Sequence, residues 1–247
     1  MNIMKLFKDK KVIIAGPCSF GSYNDLDKIA KELKNSGIDV LRAGTFKGRT
    51  SPNAFQGLGE KGIEILLEIR DKYDLPVITE LTSIEQVRKY GNKLDIIQIG
   101  ARNMYNYELL KEVGKLKTPV LLKRGISATY NEWLSAAEYI RKEGNINIIL
   151  CERGIRGFDP TTRNVLDIAA VPYIKNNTKY PIIVDPSHAS GIRYMIEPLS
   201  LASIVAGADG IIIEVHTNPN KSLSDSMQTI DMKTIKKIKG KIEKLNI

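Results

Sequence analysis

The chain has 247 residues, 43% hydrophobic and 26% charged, an ordinary globular composition sized for one large domain. No apolar run approaches the roughly 20 residues of a membrane span, and the opening MNIMKLFKDKK lacks the apolar core and small-residue cleavage site of a secretory leader. Two cysteines, Cys18 and Cys151, cannot build a disulfide framework, so the cytoplasm is the expected setting.

In chain order, short β-rich runs alternate with amphipathic stretches. KVIIAG (11–16) precedes DLDKIAKELKNSG, DVLRAG (39–44) precedes GEKGIEILLEIRDKY, and PVITEL (76–81) precedes SIEQVRKYG. LDIIQIG (94–100) leads to NYELLKEVGKLK, PVLLKRG (119–125) to NEWLSAAEYIRKEG, and NIILCERG (147–154) to RNVLDIAAVPYIKN. PIIVDPSH (181–188) is followed by YMIEPLSLASIVAGA, and GIIIEVH (210–216) by MKTIKKIKGKIEKL. Nearly continuous Val, Ile and Leu bounded by Gly, Pro or Asn is how strands buried on both faces read. Eight β–α units in this length predict an α/β fold, a single (β/α)8 TIM barrel spanning 1–247. An open doubly wound sheet is the alternative, but GPCSFGS after the first strand is not a dinucleotide fingerprint.

The formal charge of +9 invites a nucleic-acid reading. Its distribution argues against one, because most lysines fall on predicted helices, where a solvated face explains them. The arginines Arg42, Arg49, Arg102, Arg124, Arg153, Arg156 and Arg163 gather instead at predicted strand ends and the loops that follow.

Chemistry in a barrel of this kind sits at the C-terminal strand ends. Strands 7, 8 and 1, neighbours once the barrel closes, offer Cys18, His188, Glu214 and Asp225. This is a mixed S, N and O shell suited to a divalent transition metal. A buried cysteine, a hydrogen-bonded histidine and surface acids would account for the same residues equally well. Strands 2, 4, 5 and 6 offer Arg42, Lys47, Arg49, Arg102, Lys123 and Arg153. Glu80, Glu152 and Asp185 can pair with one or two of these, but three acids cannot balance six cations. More than one anionic group is implied, and guanidinium forks suit phosphate and carboxylate oxygens.

The ordered segments AGPCS, RAGTFKGRTSP with FQGLGEKG, TE, QIGARNM, LLKRG, LCERGIR with TRN and LD, VDPSH, and EVH with LSD cover roughly residues 11–230. In these the chain resembles the 3-deoxy-7-phosphoheptulonate (DAHP) synthases of the short type related to 3-deoxy-octulosonate 8-phosphate synthases. The resemblance implies an enzyme that condenses phosphoenolpyruvate with erythrose 4-phosphate and water, releasing phosphate, at the entry to the shikimate route. It implies one divalent metal ion (Mn2+, Fe2+, Co2+ or Zn2+) on Cys18, His188, Glu214 and Asp225. It also implies a phosphoenolpyruvate clamp of Arg42, Lys47, Arg102, Lys123 and Arg153, and an aldose-phosphate segment of Arg49, Thr50 and Ser51. Lys123 is the expected proton donor, Glu152 the candidate for handling water, and His188 acts in catalysis as a ligand. A homo-oligomer, dimer or tetramer, with no nucleic-acid or membrane partner, is the expected assembly.

Three features refine that expectation. Lys47-Gly48-Arg49-Thr50 replaces the family's usual Lys-Pro-Arg-Thr, so the loop should cost more entropy to order and hold the sugar phosphate more weakly. Octulosonate synthases usually carry Lys-Ala-Asn-Arg here, which places this chain on the four-carbon side, with arabinose 5-phosphate the alternative substrate. With about ten residues before the first strand and few after the last helix, no regulatory or chorismate mutase domain is expected.

Overall fold

A computed structural model describes residues 3–48 and 53–245. Eight parallel strands close into a barrel in chain order: β1 (Val12–Gly16), β2 (Val40–Arg42), β3 (Val77–Glu80), β4 (Ile96–Ile99), β5 (Val120–Lys123), β6 (Ile148–Glu152), β7 (Ile182–Val184) and β8 (Gly210–Glu214). Every strand falls inside its predicted run. β8 returns to β1 in register, with Ile14 opposite Ile212 and Gly16 opposite Glu214. The fold is therefore the predicted TIM barrel.

The alternation of side chains along each strand separates two cores. Val12, Ile14, Val40, Ile78, Ile96, Leu121, Ile149, Cys151, Ile183 and Ile212 fill the barrel. Their strand neighbours, among them Ile13, Leu41, Ile97, Leu122, Leu150 and Ile213, face the helix layer. Cys151 is thus barrel filling, and burial pushes its thiol pKa upward.

The helices are α1 (Ile3–Asp9), α2 (Tyr23–Asn35), α3 (Glu60–Tyr73), α4 (Ile84–Tyr90), α5 (Tyr107–Gly114), α6 (Tyr130–Lys142), α7 (Ala170–Asn177), α8 (Pro186–Ser190), α9 (Ile196–Val205) and α10 (Met232–Lys244). α1, to which the sequence reading assigned no element, packs Ile3 and Phe7 against the barrel-filling cluster. α7 begins later than the predicted run. Pro172 has no amide hydrogen and clashes with a preceding turn, so it must sit in the first turn. Residues 163–169 are left as loop, and an Ile155–Val165 bridge folds them back toward the barrel mouth.

The same two-residue step that fills the barrel builds its polar rim. Arg42, Glu80, Gln98, Lys123, Arg153, Asp185 and Glu214 each lie two residues beyond an interior apolar residue. They therefore form a charged layer directly above a dry one.

Candidate active site

A cavity of about 560 Å³ opens at this rim. Its wall carries Cys18, His188 and Asp225 on one side and Arg42, Lys47, Arg102, Lys123 and Arg153 among its cations. Glu80 and Gln98 line it too, as do Arg156 and Arg163 from the loop after β6. Arg49, Thr50 and Ser51 lie outside the described residues.

One pole of the cavity is a donor cluster. Ligating atoms of Cys18, His188 and Glu214 all lie within 4.8 Å of one another. Local folding aims them there. Asp185 caps α8 by accepting from the His188 backbone N–H at 2.9 Å, while Pro186 fixes the first turn. The Asp185 carboxylate also takes the His188 ring through Nδ1 at 2.7 Å. That leaves Nε2 facing Cys18 Sγ at 3.9 Å and Glu214 Oε1 at 3.1 Å. A carboxylate behind a histidine is how metal-binding imidazoles are oriented and fixed in one tautomer. Burial lowers the His188 pKa to about 4, so the ring is neutral at pH 7.

The donor chemistry fits a divalent ion. Burial, then the Glu214 charge, pushes the Cys18 thiol up to about 12. Two cations instead occupy the ligands. Arg42 donates to Glu214 Oε1 at 3.0 Å and to Cys18 Sγ at 3.4 Å. Lys47 Nζ reaches Cys18 Sγ, Asp225 Oδ2 and, at 2.8 Å, Ser224 Oγ. An ammonium seated among a thiol, a carboxylate and a hydroxyl marks a place built for positive charge. Asp225 stands outside the three-residue cluster and joins it through that ammonium. Burial opposes its charge, but Lys47 outweighs burial and holds the carboxyl well below the usual range. Its backbone is left-handed at φ 55°, a region Asp tolerates better than most residues.

The other pole is cationic. Lys123 contacts Asp185 Oδ2, so one buried carboxylate holds both the imidazole and the ammonium. Burial works against the Asp185 charge, yet His188 and Lys123 together keep its pKa well below the ordinary value. Arg153 is different. It is 5% exposed, lines the cavity and among the described residues hydrogen-bonds only the Gly154 carbonyl, at 3.3 Å. Burial lowers its pKa. Arg102 likewise meets a carbonyl, that of Gly48, at 3.4 Å. Neither has a carboxylate partner among the described residues.

Of the three acids expected to pair with one or two clamp cations, Asp185 takes Lys123, and Glu80 and Glu152 take none among the described residues. Glu152 follows interior Cys151 by one residue, so it faces the helix layer, where it is 0% exposed and does not line the cavity. It accepts from Arg124 at 3.0 Å and from the Gly154 N–H at 2.7 Å. Arg124, also outward, continues to Asp167 at 2.7 Å and lies 4.6 Å from the Tyr130 ring centroid. The assignment of Glu152 to water handling is corrected on this geometry. Glu80 does line the cavity, held by Gln98 Nε2 at 3.0 Å. Gly100 makes room for it, since a Cβ there would lie 2.1 Å from Glu80 Oε1. Gln98 Oε1 is buried with no hydrogen-bond partner among the described residues.

Sequence reasoning assigned no role to Gln98, Arg156 or Arg163. The two-residue step from Ile96 places Gln98 inside, and that signal was available. His216 straps the end of β8 to α2: its Nε2 is 3.3 Å from Asp25, and its Nδ1 accepts from the Asn218 N–H at 2.9 Å.

The family model described as the DAHP synthetase I family matches residues 3–246. A phospho-2-dehydro-3-deoxyheptonate aldolase of Thermotoga maritima is 51% identical over 94% of this chain and 69% of its own length. A 2-dehydro-3-deoxyphosphooctonate aldolase of Desulfotalea psychrophila is 31% identical over 95% of this chain and 89% of its own. The crystal structure of the Thermotoga DAHP synthase superposes with a TM-score of 0.92 at 50% identity, covering 96% of this chain and 69% of that one. A truncated form of the Thermotoga enzyme superposes at 0.88, with 47% identity and coverage of 96% and 86%.

Proposed function

Because the chain belongs to the DAHP synthetase I family, we propose that it condenses phosphoenolpyruvate with erythrose 4-phosphate and water, giving the seven-carbon 3-deoxy sugar acid phosphate and inorganic phosphate. The observation that carries the reading is Arg153. A guanidinium that is almost fully buried and has no carboxylate partner is costly unless an anion completes it. It lines the same cavity as Lys123, Arg102 and the Cys18–His188 side. Phosphoenolpyruvate, a phosphate and a carboxylate on three carbons, supplies the missing charge.

Arg102, Lys123 and Arg153 bind the phosphoenolpyruvate oxygens in this scheme, with Arg42 and Lys47 completing that wall. Arg49, Thr50 and Ser51 take the aldose phosphate. Cys18, His188, Glu214 and Asp225 would hold the divalent ion, which supplies Lewis acidity toward the aldehyde oxygen when bound. The clamp brings C3 of the enol within about 3–3.5 Å of the aldehyde carbon, where positioning contributes most. As C3 bonds to that carbon, Lys123 Nζ gives a proton to the aldehyde oxygen. Positive character at C2 is then met by water. Glu80, which has no ion pair among the described residues, accepts the water proton as the new C2–O bond forms. Phosphate then leaves by cleavage of the original C2–O bond as the new C2 hydroxyl becomes the ketone, its proton leaving with the phosphate. The Gln98 amide carbonyl, unpartnered among the described residues, accepts a hydrogen bond from that hydroxyl while it exists.

Phosphate release from phosphoenolpyruvate, assayed with erythrose 4-phosphate and with arabinose 5-phosphate, with and without chelator, tests the proposal. Turnover of the four-carbon sugar that chelation abolishes is expected. Preference for the five-carbon sugar would support the octulosonate reaction instead, and turnover of neither would refute both.

A further inference from the structure

The loop after β6 contributes no donor to the Cys18–His188–Glu214 cluster, yet its residues 163 and 164 touch the supports of three of the four candidate ligands. Arg163 Nη1 donates to Asp225 Oδ1 at 3.1 Å and to Gln228 Oε1 at 3.2 Å. With its carbonyl committed to a guanidinium, the Gln228 amide has one orientation, and its Nε2 donates to Glu214 Oε2 at 2.8 Å. Gln228 is 3% exposed, so its bond to Glu214 is buried, while Arg163 reaches it from a side chain that is 40% exposed. Glu214 is left with Oε1 pointing at His188 Nε2, 3.1 Å away. On the other side, Asn164 Nδ2 donates to the His188 carbonyl at 3.0 Å, and its backbone N–H to the Ala189 carbonyl at 2.8 Å. The Arg163 N–H donates to the Ser190 carbonyl at 2.9 Å, which ties the loop along α8.

We propose that Arg163 and Gln228 are positioning residues that preset the metal ligands, with Arg163 holding Asp225 directly and Glu214 through the Gln228 amide. The inference rests on the ligand assignment proposed above. Arg163 also lines the cavity, so a role as one more substrate cation is the competing account. What favours positioning is that Nη1 is shared between a carboxylate and an amide carbonyl on the ligand side of the cavity, although Nη2 has no hydrogen-bond partner among the described residues. The amide it fixes then reaches a ligand that Arg163 does not touch. Outer partners of this kind typically set metal affinity by about 10–100-fold.

The test is calorimetric titration of Mn2+ into the metal-free full chain, comparing the unaltered protein with Arg163→Gln, Gln228→Leu and the double variant. Unfolding midpoints without metal report whether each variant is folded. Either single variant should weaken Mn2+ binding by about 10–100-fold. The double variant should fall short of the product of the two, because both interrupt one path to Glu214. The bands of the Co2+ complex should shift in both, which a general loss of stability would not produce. If Arg163→Gln does not fold, Gln228→Leu carries the same expectation, since it leaves Arg163 on Asp225. Mn2+ affinity within twofold of the unaltered protein, with a raised KM for phosphoenolpyruvate in Arg163→Gln, overturns the inference in favour of a substrate contact. An unaltered protein that takes up no ion overturns the ligand assignment, and this inference with it.

Discussion

Replacing Glu152 by Gln separates structural from chemical roles in the charged residues after β6. The carboxylate serves two donors with two oxygens: Arg124 on Oε2 at 3.0 Å and the Gly154 N–H on Oε1 at 2.7 Å. A glutamine offers one oxygen, so one buried donor loses its partner, at a cost of about 1–3 kcal/mol. Removing one member of a buried ion pair outright typically costs about 3–5 kcal/mol. That figure is an upper limit here, because Arg124 keeps Asp167 at 2.7 Å and the Ala128 carbonyl at 2.9 Å. Glu152→Gln should therefore lose stability in the lower range, read as a shift in urea midpoint at unchanged slope. The pH dependence has a definite sign. Burial raises the Glu152 pKa in spite of Arg124, so the unfolded chain ionises first as pH rises. The unaltered protein then loses stability from about pH 4.5 up through the raised value, the glutamine variant does not, and the gap between them narrows toward neutral pH. Turnover per folded molecule should stay near normal. A fall of about 10²–10⁴ in kcat at nearly unchanged stability would mean that Glu152 handles a proton in the reaction, and would refute this account.

Glu80→Gln should cut kcat strongly while leaving the KM for phosphoenolpyruvate within a few-fold, since Glu80 contacts no clamp cation; unchanged turnover would remove it from the water step. Lys123→Met should abolish turnover and also destabilise the chain, because the buried Asp185 carboxylate loses its ammonium and keeps the hydrogen bonds of the neutral His188 ring and backbone; near-normal turnover would exclude proton donation by Lys123. Chelator-treated protein should be inactive and regain activity with Mn2+, Fe2+, Co2+ or Zn2+, measured as phosphate release; activity surviving complete metal removal would contradict the ligand set. A Cβ at Gly48 would have no atom of the described residues within 4 Å, and Gly48→Pro should lower the KM for erythrose 4-phosphate by preordering the loop. An unchanged or higher KM would count against the entropy reasoning.

The barrel was legible because its signal is redundant. Eight apolar runs of strand length, each followed by a helical period, leave few other architectures, and each strand was found within its run. The site was legible to the extent that residues sit at strand ends in the right parity. Counting in twos from the interior residue of each strand sorts Lys123 from Arg124 and Arg153 from Glu152, and an inventory that ignores parity does not. Glu152 was misassigned on that account. What the strands cannot reveal is how the loops return. Asp225 reaches Lys47 and Arg163, each more than sixty positions distant in the chain, and nothing local in SLSDSMQ announces either contact. α1 was missed because IMKLFKD is too short for a periodicity to stand out, although its Ile3 and Phe7 are well buried.

The balance of charge at the rim accounts for the division of labour. Three of the expected clamp cations pair with acids: Arg42 with Glu214, Lys123 with Asp185 and Lys47 with Asp225, which Arg163 shares. Two of those acids, Glu214 and Asp225, belong to the proposed ligand set, and the third, Asp185, holds the His188 ring. An ion arriving at Cys18, His188 and Glu214 would compete with Arg42 and Lys47 for the same donors and so release cationic charge toward the cavity. Arg102 and Arg153 meet only carbonyls and are available from the start. Ion binding on one wall and anion binding on the other should therefore be coupled, each favouring the other through Arg42 and Lys47. Linkage makes that testable in either direction. Mn2+ should tighten the binding of phosphoenolpyruvate by the same factor by which phosphoenolpyruvate tightens Mn2+, and Arg42→Gln should reduce both factors together. Binding constants for either ligand that do not respond to the other would show that these pairs are fixed structural contacts, and the exchange of partners proposed for Arg42 and Lys47 would not take place.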